Sequence, residues 1–96
     1  MIKRTLKADA AKVTFSLPAA AAPTPVSVVG DFNSWDPLAH PLRKRSNGTC
    51  SVVVDLPPGR AYRFRYLADG GQFFDENDAD AIEPNGYGET HSLLVV

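Results

Sequence analysis

Short runs of alternating apolar and polar residues cover most of the chain, and they predict β-strands rather than helices. Residues 12–17 alternate with period two and stop at Pro18, so they form a first strand. Residues 26–30 repeat the pattern, with valines on the apolar side. Residues 61–68 show it best, because aromatic residues alternate with arginines. Such runs are typical of half-buried strands in antiparallel sheets.

Turn residues separate the remaining runs. Ser46-Asn47-Gly48 lies between residues 42–45 and residues 49–56, and Asn-Gly between two extended runs predicts a hairpin. Asp69-Gly70-Gly71 precedes a short return strand at residues 72–74, and residues 91–96 close the sheet. The pattern therefore predicts about seven short antiparallel strands.

Two segments lack a strand pattern. Residues 75–88 are polar and aperiodic, which predicts a long surface loop. Residues 1–11 are charged and alanine-rich, and we expect either a frayed, flexible arm or a short helix there. The domain itself is then predicted to span residues 12–96.

Seven closely spaced strands predict an all-β, immunoglobulin-like sandwich. Its two sheets should bury one apolar face of each strand. We expect the following side chains between the sheets: Phe15, Val28, Val54, Phe64 and Tyr66. Ninety-six residues make one domain of this kind, with no room for a second core.

Charge and cysteine content narrow the class of function. Ten basic residues against eleven acidic ones give a net charge of −1, so no overall field favours nucleic acid or a membrane. Cys50 is the only cysteine, which excludes an internal disulfide. No apolar stretch approaches the roughly 18 residues of a membrane span. We expect a soluble, cytoplasmic protein.

Catalytic and metal-binding patterns are missing. Glycoside hydrolysis needs two carboxyl groups facing each other across a cleft, whereas the acids here sit mainly in predicted exposed turns. The acidic run from Asp75 fails the calcium-loop template, since Ala79 cannot ligate and Asp80 stands where glycine is required. His40 and His91 have no cysteine partners for zinc. We expect neither an enzyme nor a bound cofactor or metal.

The only tryptophan, Trp35, follows the second strand in a polar turn rich in residues that favour chain reversal. A large ring carried on such a turn should be partly exposed, and loops on a rigid sandwich often bind ligands. The alternative, which stays open, is that Trp35 folds back as a lid over the sandwich edge.

Three segments carry a resemblance to a known family: Gly30-Asp31-Phe32-Asn33-Ser34-Trp35, then Phe64-Arg65-Tyr66-Leu67-Ala68-Asp69-Gly70, then residues 78–96 with Pro84-Asn85-Gly86-Tyr87-Gly88. In order and spacing they resemble carbohydrate-binding module family 48. These modules occur at the N-termini of isoamylases and branching enzymes, and in the β subunit of AMP-activated protein kinase. The resemblance covers nearly everything after Lys12. It implies an early-set immunoglobulin-like fold that binds glycogen or starch.

The same resemblance implies the binding residues. Trp35 matches the first aromatic platform, and Phe73, or Phe74 one position on, takes the place of a second ring that is often tryptophan. Arg65 matches a basic residue that contacts sugar, and strand alternation independently places it on the outer face. Tyr87 and His91 replace an apolar residue and an asparagine, respectively, which contact sugar in glucan-binding relatives.

We therefore expect non-catalytic binding of α-1,4-linked glucan or maltooligosaccharide. Two alternatives remain. The chain is an N-terminal accessory module of a family 13-type debranching or branching enzyme, or it is a scaffold that has lost sugar binding. In the latter case its partner is another protein, as for the kinase subunit.

Overall fold

Nine β-strands make up most of the chain that the computed structural model describes, namely residues 2–7, 9–18, 25–46, 48–68, 71–76, 79–84, 86 and 88–96. The strands are β1 (Ile2–Leu6), β2 (Ala11–Pro18), β3 (Val26–Gly30), β4 (Arg43–Lys44), β5 (Thr49–Leu56), β6 (Ala61–Ala68), β7 (Gln72–Phe74), β8 (Ala81–Pro84) and β9 (Thr90–Val95). One turn of 3-10 helix, Asp31–Asn33, follows β3.

The strands form two antiparallel sheets. Sheet I has the order β1-β2-β5-β4, and sheet II has the order β3-β6-β9-β8, with β7 also paired to β6. The inward side chains of both sheets form one core. All five residues expected there are buried: Phe15, Val28, Val54, Phe64 and Tyr66. The predicted all-β, immunoglobulin-like sandwich is confirmed.

Strand alternation fixes which side chains of sheet II point away from the core. Along β6, Tyr62, Phe64 and Tyr66 are buried, so the arginines between them lie on the outer face. Phe73 is paired with Leu67 across β7 and β6, and it lies on that same outer face. The outer face of sheet II therefore carries the predicted site residues Arg65 and Phe73.

The structure corrects the prediction for the N-terminal residues. Residues 2–6 are neither frayed nor helical, because β1 pairs with β2 from Ile2↔Phe15 to Leu6↔Ala11. Lys3, Arg4, Thr5 and Leu6 are exposed, so this edge strand lacks a buried face whose period the sequence would show. The division into an arm and a domain at residue 12 stays a prediction.

The prediction of an unbroken loop at residues 75–88 was also wrong. Ala81–Pro84 form β8, an edge strand that pairs with β9. Its Ile82 is exposed, and Pro84 stands at the strand end, so alternation gave no signal here either. The residues that the structure describes thus form nine strands, two more than the seven expected.

Both predicted hairpins have paired arms. β4 pairs with β5, and β7 pairs with β6, at the positions expected. Their predicted turn residues Asn47, Asp69 and Gly70 lie outside the described residues. Within the described part of the chain, no helix has the length and apolarity needed to cross a membrane.

Candidate functional site

The turn that carries Trp35 is built on the end of β3. After the 3-10 helix, Ser34 and Trp35 adopt positive φ angles of 56° and 58°, a conformation that few non-glycine residues take. The Trp35 amide donates to the carbonyl of Gly30 at 3.0 Å and closes the turn. The Trp35 side chain is 39% exposed, which confirms the predicted partial exposure.

Asn33 stabilises this turn with its side chain. Its Oδ1 accepts from the Gly30 amide at 3.0 Å, and its Nδ2 donates to the Val28 carbonyl at 3.0 Å. The same Nδ2 lies 2.9 Å from Nδ1 of His40, at the far end of the turn segment. Asparagine often bonds to nearby backbone in turns, but its link to His40 was not visible in the sequence.

The segment after Trp35 returns along the edge of β3 and borders the outer face of sheet II. The Val28 amide donates to the His40 carbonyl, and the Leu42 amide donates to the Val26 carbonyl. An open, largely apolar groove of about 350 Å³ lies between this segment and the sheet. It is lined by Pro25, Ser27, Pro37, Leu38, Pro41, Leu67 and Ala68. The segment that follows Trp35 and the outer face thus line one groove.

Arg65 and Phe73 form a contact pair on this surface. The guanidinium carbon of Arg65 lies 4.9 Å from the ring centroid of Phe73, a cation–π distance. The Phe73 side chain is 47% exposed, whereas Phe74 packs toward the core with its ring centroid 5.2 Å from that of Tyr66. Of the two phenylalanines left open by the sequence, Phe73 is therefore the exposed one.

Carboxylates bind the guanidinium of Arg65. Its Nη1 donates to Oε2 of Glu89 at 2.9 Å, while its Nε lies 3.6 Å from Oδ1 of Asp75. That Nε is buried and makes no hydrogen bond. The Arg65 side chain is only 12% exposed, so its orientation is fixed from three sides.

Asp75 is fixed by a polar network that reaches into the core. Thr90 and Ser92 both donate hydroxyl hydrogen bonds to its carboxylate, and Ser92 Oγ also accepts from the amide of Glu76. Tyr66 donates its hydroxyl to Oε1 of Glu76 at 2.7 Å, and both side chains are buried. The expectation that the acids of this chain sit mainly in exposed turns thus fails for Glu76. Its position in an acidic run gave no sign of its burial.

His91 points outward from β9 but is largely covered. Its Nε2 lies 3.1 Å from Oε1 of Glu83, the residue directly opposite on β8, and His91 is 8% exposed. Nε of Arg63 lies 3.4 Å from the same Glu83 oxygen, and Arg63 also pairs with Asp31. This row of alternating charges runs across the outer face beside Arg65.

The structure thus brings Arg65 and Phe73 into direct contact and places His91 on the same outer face, against Glu83. Trp35 lies in the turn whose continuation borders that face. Tyr87 lies outside the described residues. Sequence reasoning missed the carboxylates around Arg65, because their elements are separated from β6 along the chain.

The chemistry of this surface is that of recognition of a polar ligand with apolar faces. It offers two partly exposed rings, a fixed guanidinium, and the paired carboxylates of Asp75, Glu83 and Glu89. Among the described residues, no group of three or more His, Cys, Asp or Glu side chains is placed to bind a metal ion.

Comparison with known proteins identifies relatives of this chain. It is 44% identical over 54 residues to a 1,4-alpha-glucan branching enzyme of Deinococcus radiodurans, covering 55% of the chain and 8% of that enzyme. It is 31% identical over 70 residues to the enzyme of the same name from Synechococcus elongatus, covering 72% of the chain and 9% of the relative. The chain thus spans less than a tenth of the length of these relatives. The profile of carbohydrate-binding module 48 (isoamylase N-terminal domain) matches residues 4–86, and the chain belongs to this family.

Proposed function

We propose that the outer face of sheet II, together with the Trp35 turn, binds α-1,4-linked glucan such as glycogen or starch and does not cleave it. Membership of a carbohydrate-binding family supports this proposal, as do the relatives, whose names state 1,4-alpha-glucan as what they act on. The two exposed rings and the polar groups beside them supply the surface chemistry that a glucan requires.

The Arg65–Phe73 pair is the observation that carries the proposal. A glucan chain presents apolar C–H faces alternating with hydroxyl edges, so its binder needs flat rings with hydrogen-bonding groups at their rims. Phe73 is half-exposed, and a guanidinium fixed 4.9 Å from its ring centroid provides such groups. Because Asp75 and Phe73 already orient Arg65, little side-chain entropy is lost when a sugar arrives.

The remaining predicted residues take secondary parts. Trp35 supplies a second ring from the turn, with a larger face and an indole donor. His91 and its partner Glu83 present an imidazole–carboxylate pair with which hydroxyl groups can exchange hydrogen bonds. Tyr87 is proposed as an apolar contact on the basis of the family resemblance alone.

The affinity should be modest. Two rings and a few hydrogen bonds on an open surface must offset the entropy lost on association, so we expect a dissociation constant between about 1 mM and 1 μM. Adding maltoheptaose should quench or shift the fluorescence of Trp35, the only tryptophan, and cellohexaose should not. A response to neither sugar at millimolar concentration would contradict glucan binding and favour a protein-binding scaffold.

Substitutions should separate binding from stability. Trp35→Ala removes a stacking face and should weaken binding by at least about 0.5–1.5 kcal/mol, the value for aromatic pairs. Arg65→Ala removes hydroxyl donors and should cost about 1 kcal/mol of binding. Isothermal titration with maltoheptaose measures both, since the first variant has no tryptophan signal.

Phe64→Ala is the matched control for these two variants. Phe64 is fully buried between the sheets, one position from Arg65, so its truncation should lower the free energy of unfolding by about 3–5 kcal/mol. Circular dichroism during urea titration would show this loss. If Trp35→Ala unfolds the protein while Arg65→Ala leaves glucan affinity intact, this face is structural and the binding proposal is wrong.

The length comparison favours a second, compatible role. The aligned segment makes up 8% and 9% of two branching enzymes, so in those proteins the corresponding region is a small part of a much longer chain. We propose that this module can bring a glucan to an enzymatic partner. To test this role, the module is mixed with a branching enzyme. The quantity measured is the retention of that enzyme on glycogen.

A further inference from the structure

Glu89 occupies one of the hydrogen-bond donors of Arg65, Nη1. It accepts from Nη1 at 2.9 Å, and its side chain is 62% exposed, whereas the Arg65 side chain is 12% exposed. Phe73 covers one flat side of the guanidinium, and Asp75 lies on its Nε side. A hydroxyl group that is to accept from Nη1 must therefore take the place of the Glu89 carboxylate.

We propose that Glu89 competes with glucan hydroxyls for Arg65 and thereby lowers the glucan affinity of this face. The inference rests on the proposed function, which it deepens by naming a residue that sets the affinity. In the free protein, the Arg65–Glu89 bond satisfies a donor that would otherwise go to sugar. A glucan that uses Arg65 must first separate this pair.

Asp75, the second carboxylate beside Arg65, is not such a competitor. Thr90 and Ser92 both donate to it, and its side chain is 21% exposed, so it belongs to the supporting structure. Its oxygen lies 3.6 Å from Nε, which leaves that buried nitrogen without a hydrogen bond. Asp75 orients the guanidinium, and Glu89 is the partner that a ligand can displace.

The strength of the competition follows from the exposure of Glu89. Exposed ion pairs contribute little to stability, and separating one should weaken ligand binding by at most about fivefold. Removing the Glu89 carboxylate should therefore tighten glucan binding by about two- to fivefold, without creating a new contact to the sugar.

Salt provides a further test of this ion pair, because a glucan carries no charge and the loss of the salt effect in the Glu89 variants assigns it to Glu89. Raising the NaCl concentration from about 0.02 M to about 0.5 M screens exposed charges within the protein. If Glu89 competes for Arg65, salt weakens that pair, and the wild-type protein should bind maltoheptaose more tightly at high salt. If Glu89 does not compete, screening of the Arg65–Glu89 pair should leave the affinity for maltoheptaose unchanged.

The experiment compares Glu89→Gln and Glu89→Ala with Asp55→Asn. Asp55 is an exposed residue of sheet I that pairs with Lys12 and not with Arg65, so the control removes one negative charge without changing the Arg65–Glu89 pair. Maltoheptaose is titrated into each variant and into wild type by isothermal titration, at both salt concentrations. Thermal unfolding checks that all variants remain folded.

We expect both Glu89 variants to bind about two- to fivefold tighter than wild type at low salt and to lose the salt effect. Asp55→Asn should match wild type in affinity and in salt dependence. Alanine is included because a glutamine carbonyl can still accept a hydrogen bond from Arg65, so the alanine variant should show the larger gain.

Two outcomes would overturn the competition while the proposed function stands. Unchanged affinity in both Glu89 variants would show that the pair does not limit binding, and weaker affinity would show that Glu89 itself binds the sugar. A lack of binding in wild type and in every variant at roughly 10 mM sugar, beyond the expected range, would contradict the proposed function, and the competition would fall with it.

Discussion

Gly30 shows how a single residue sets the distance between two strands of sheet II. Its φ of −175° is extended, so the backbone conformation itself does not require glycine. A Cβ at this position would lie 2.4 Å from the carbonyl oxygen of Arg63 and 2.9 Å from Cβ of Phe64. Glycine therefore permits β3 to approach β6 closely, just before the turn that presents Trp35.

Gly30→Ala should consequently lower the free energy of unfolding by about 1–3 kcal/mol, the usual cost of overpacking. Urea denaturation followed by circular dichroism measures the loss. Ser27→Ala on the same strand is the control, since its partly exposed side chain should change stability by less than about 0.5 kcal/mol. Equal stability of Gly30→Ala and wild type would show that β6 can move away without cost.

The sequence predicted some residues of the candidate site better than others. The partial exposure of Trp35 followed from its place in a polar turn, and the outward direction of Arg65 followed from alternation with Tyr62, Phe64 and Tyr66. The ion pairs of Arg65 did not follow, because Asp75 and Glu89 reach it from segments whose positions depend on the pairing of β7 and β9 with β6. Tertiary pairing of this kind is not encoded in a local pattern.

At the scale of elements, the same contrast separates strands that bury apolar side chains from strands that do not. β2, β3, β5 and β6 each carry several buried residues, so their pattern was visible and their positions were predicted. β1 and β8 are edge strands with mostly exposed side chains, and neither was predicted. Charged side chains on an edge also discourage pairing with other chains, which explains why β1 carries Lys3 and Arg4 rather than apolar residues.

Arg4 joins β1 of sheet I to the end of sheet II. Its Nε donates to the Val95 carbonyl at 3.1 Å, and its Nη2 pairs with Asp80, which in turn accepts from the Val95 amide. The side chains of this pair are 30% and 37% exposed, so solvent weakens the interaction. The two sheets are thus linked by polar contacts at one edge, in addition to the core between them.

Arg4→Ala should therefore lower the free energy of unfolding by about 1 kcal/mol, through loss of the ion pair and of the bond to the Val95 carbonyl. The exposed neighbour Lys3 gives a matched control, and Lys3→Ala should stay within about 0.5 kcal/mol of wild type. Urea midpoints of the two variants make the comparison. Equal midpoints for both would contradict a stabilising role of Arg4.

At the scale of the whole molecule, the sandwich is broad and thin. Its extents are 37 × 36 × 22 Å and its Cα radius of gyration is 12.8 Å, close to the roughly 12.5 Å expected for a compact chain of this length. The two larger extents, 37 and 36 Å, are alike, so the described residues form a slab about as long as it is wide.

The contact between Arg4 and Val95 also has a kinetic consequence. These residues are 91 positions apart in sequence, so their contact closes almost the entire chain into a loop. Sandwiches rich in such distant pairings fold slowly, on the scale of milliseconds to seconds. We expect this contact to form after the rate-limiting step, so that Arg4→Ala accelerates unfolding and leaves the folding rate nearly unchanged in stopped-flow measurements. The N-terminal strand would then govern how long the native state persists rather than how quickly it is reached.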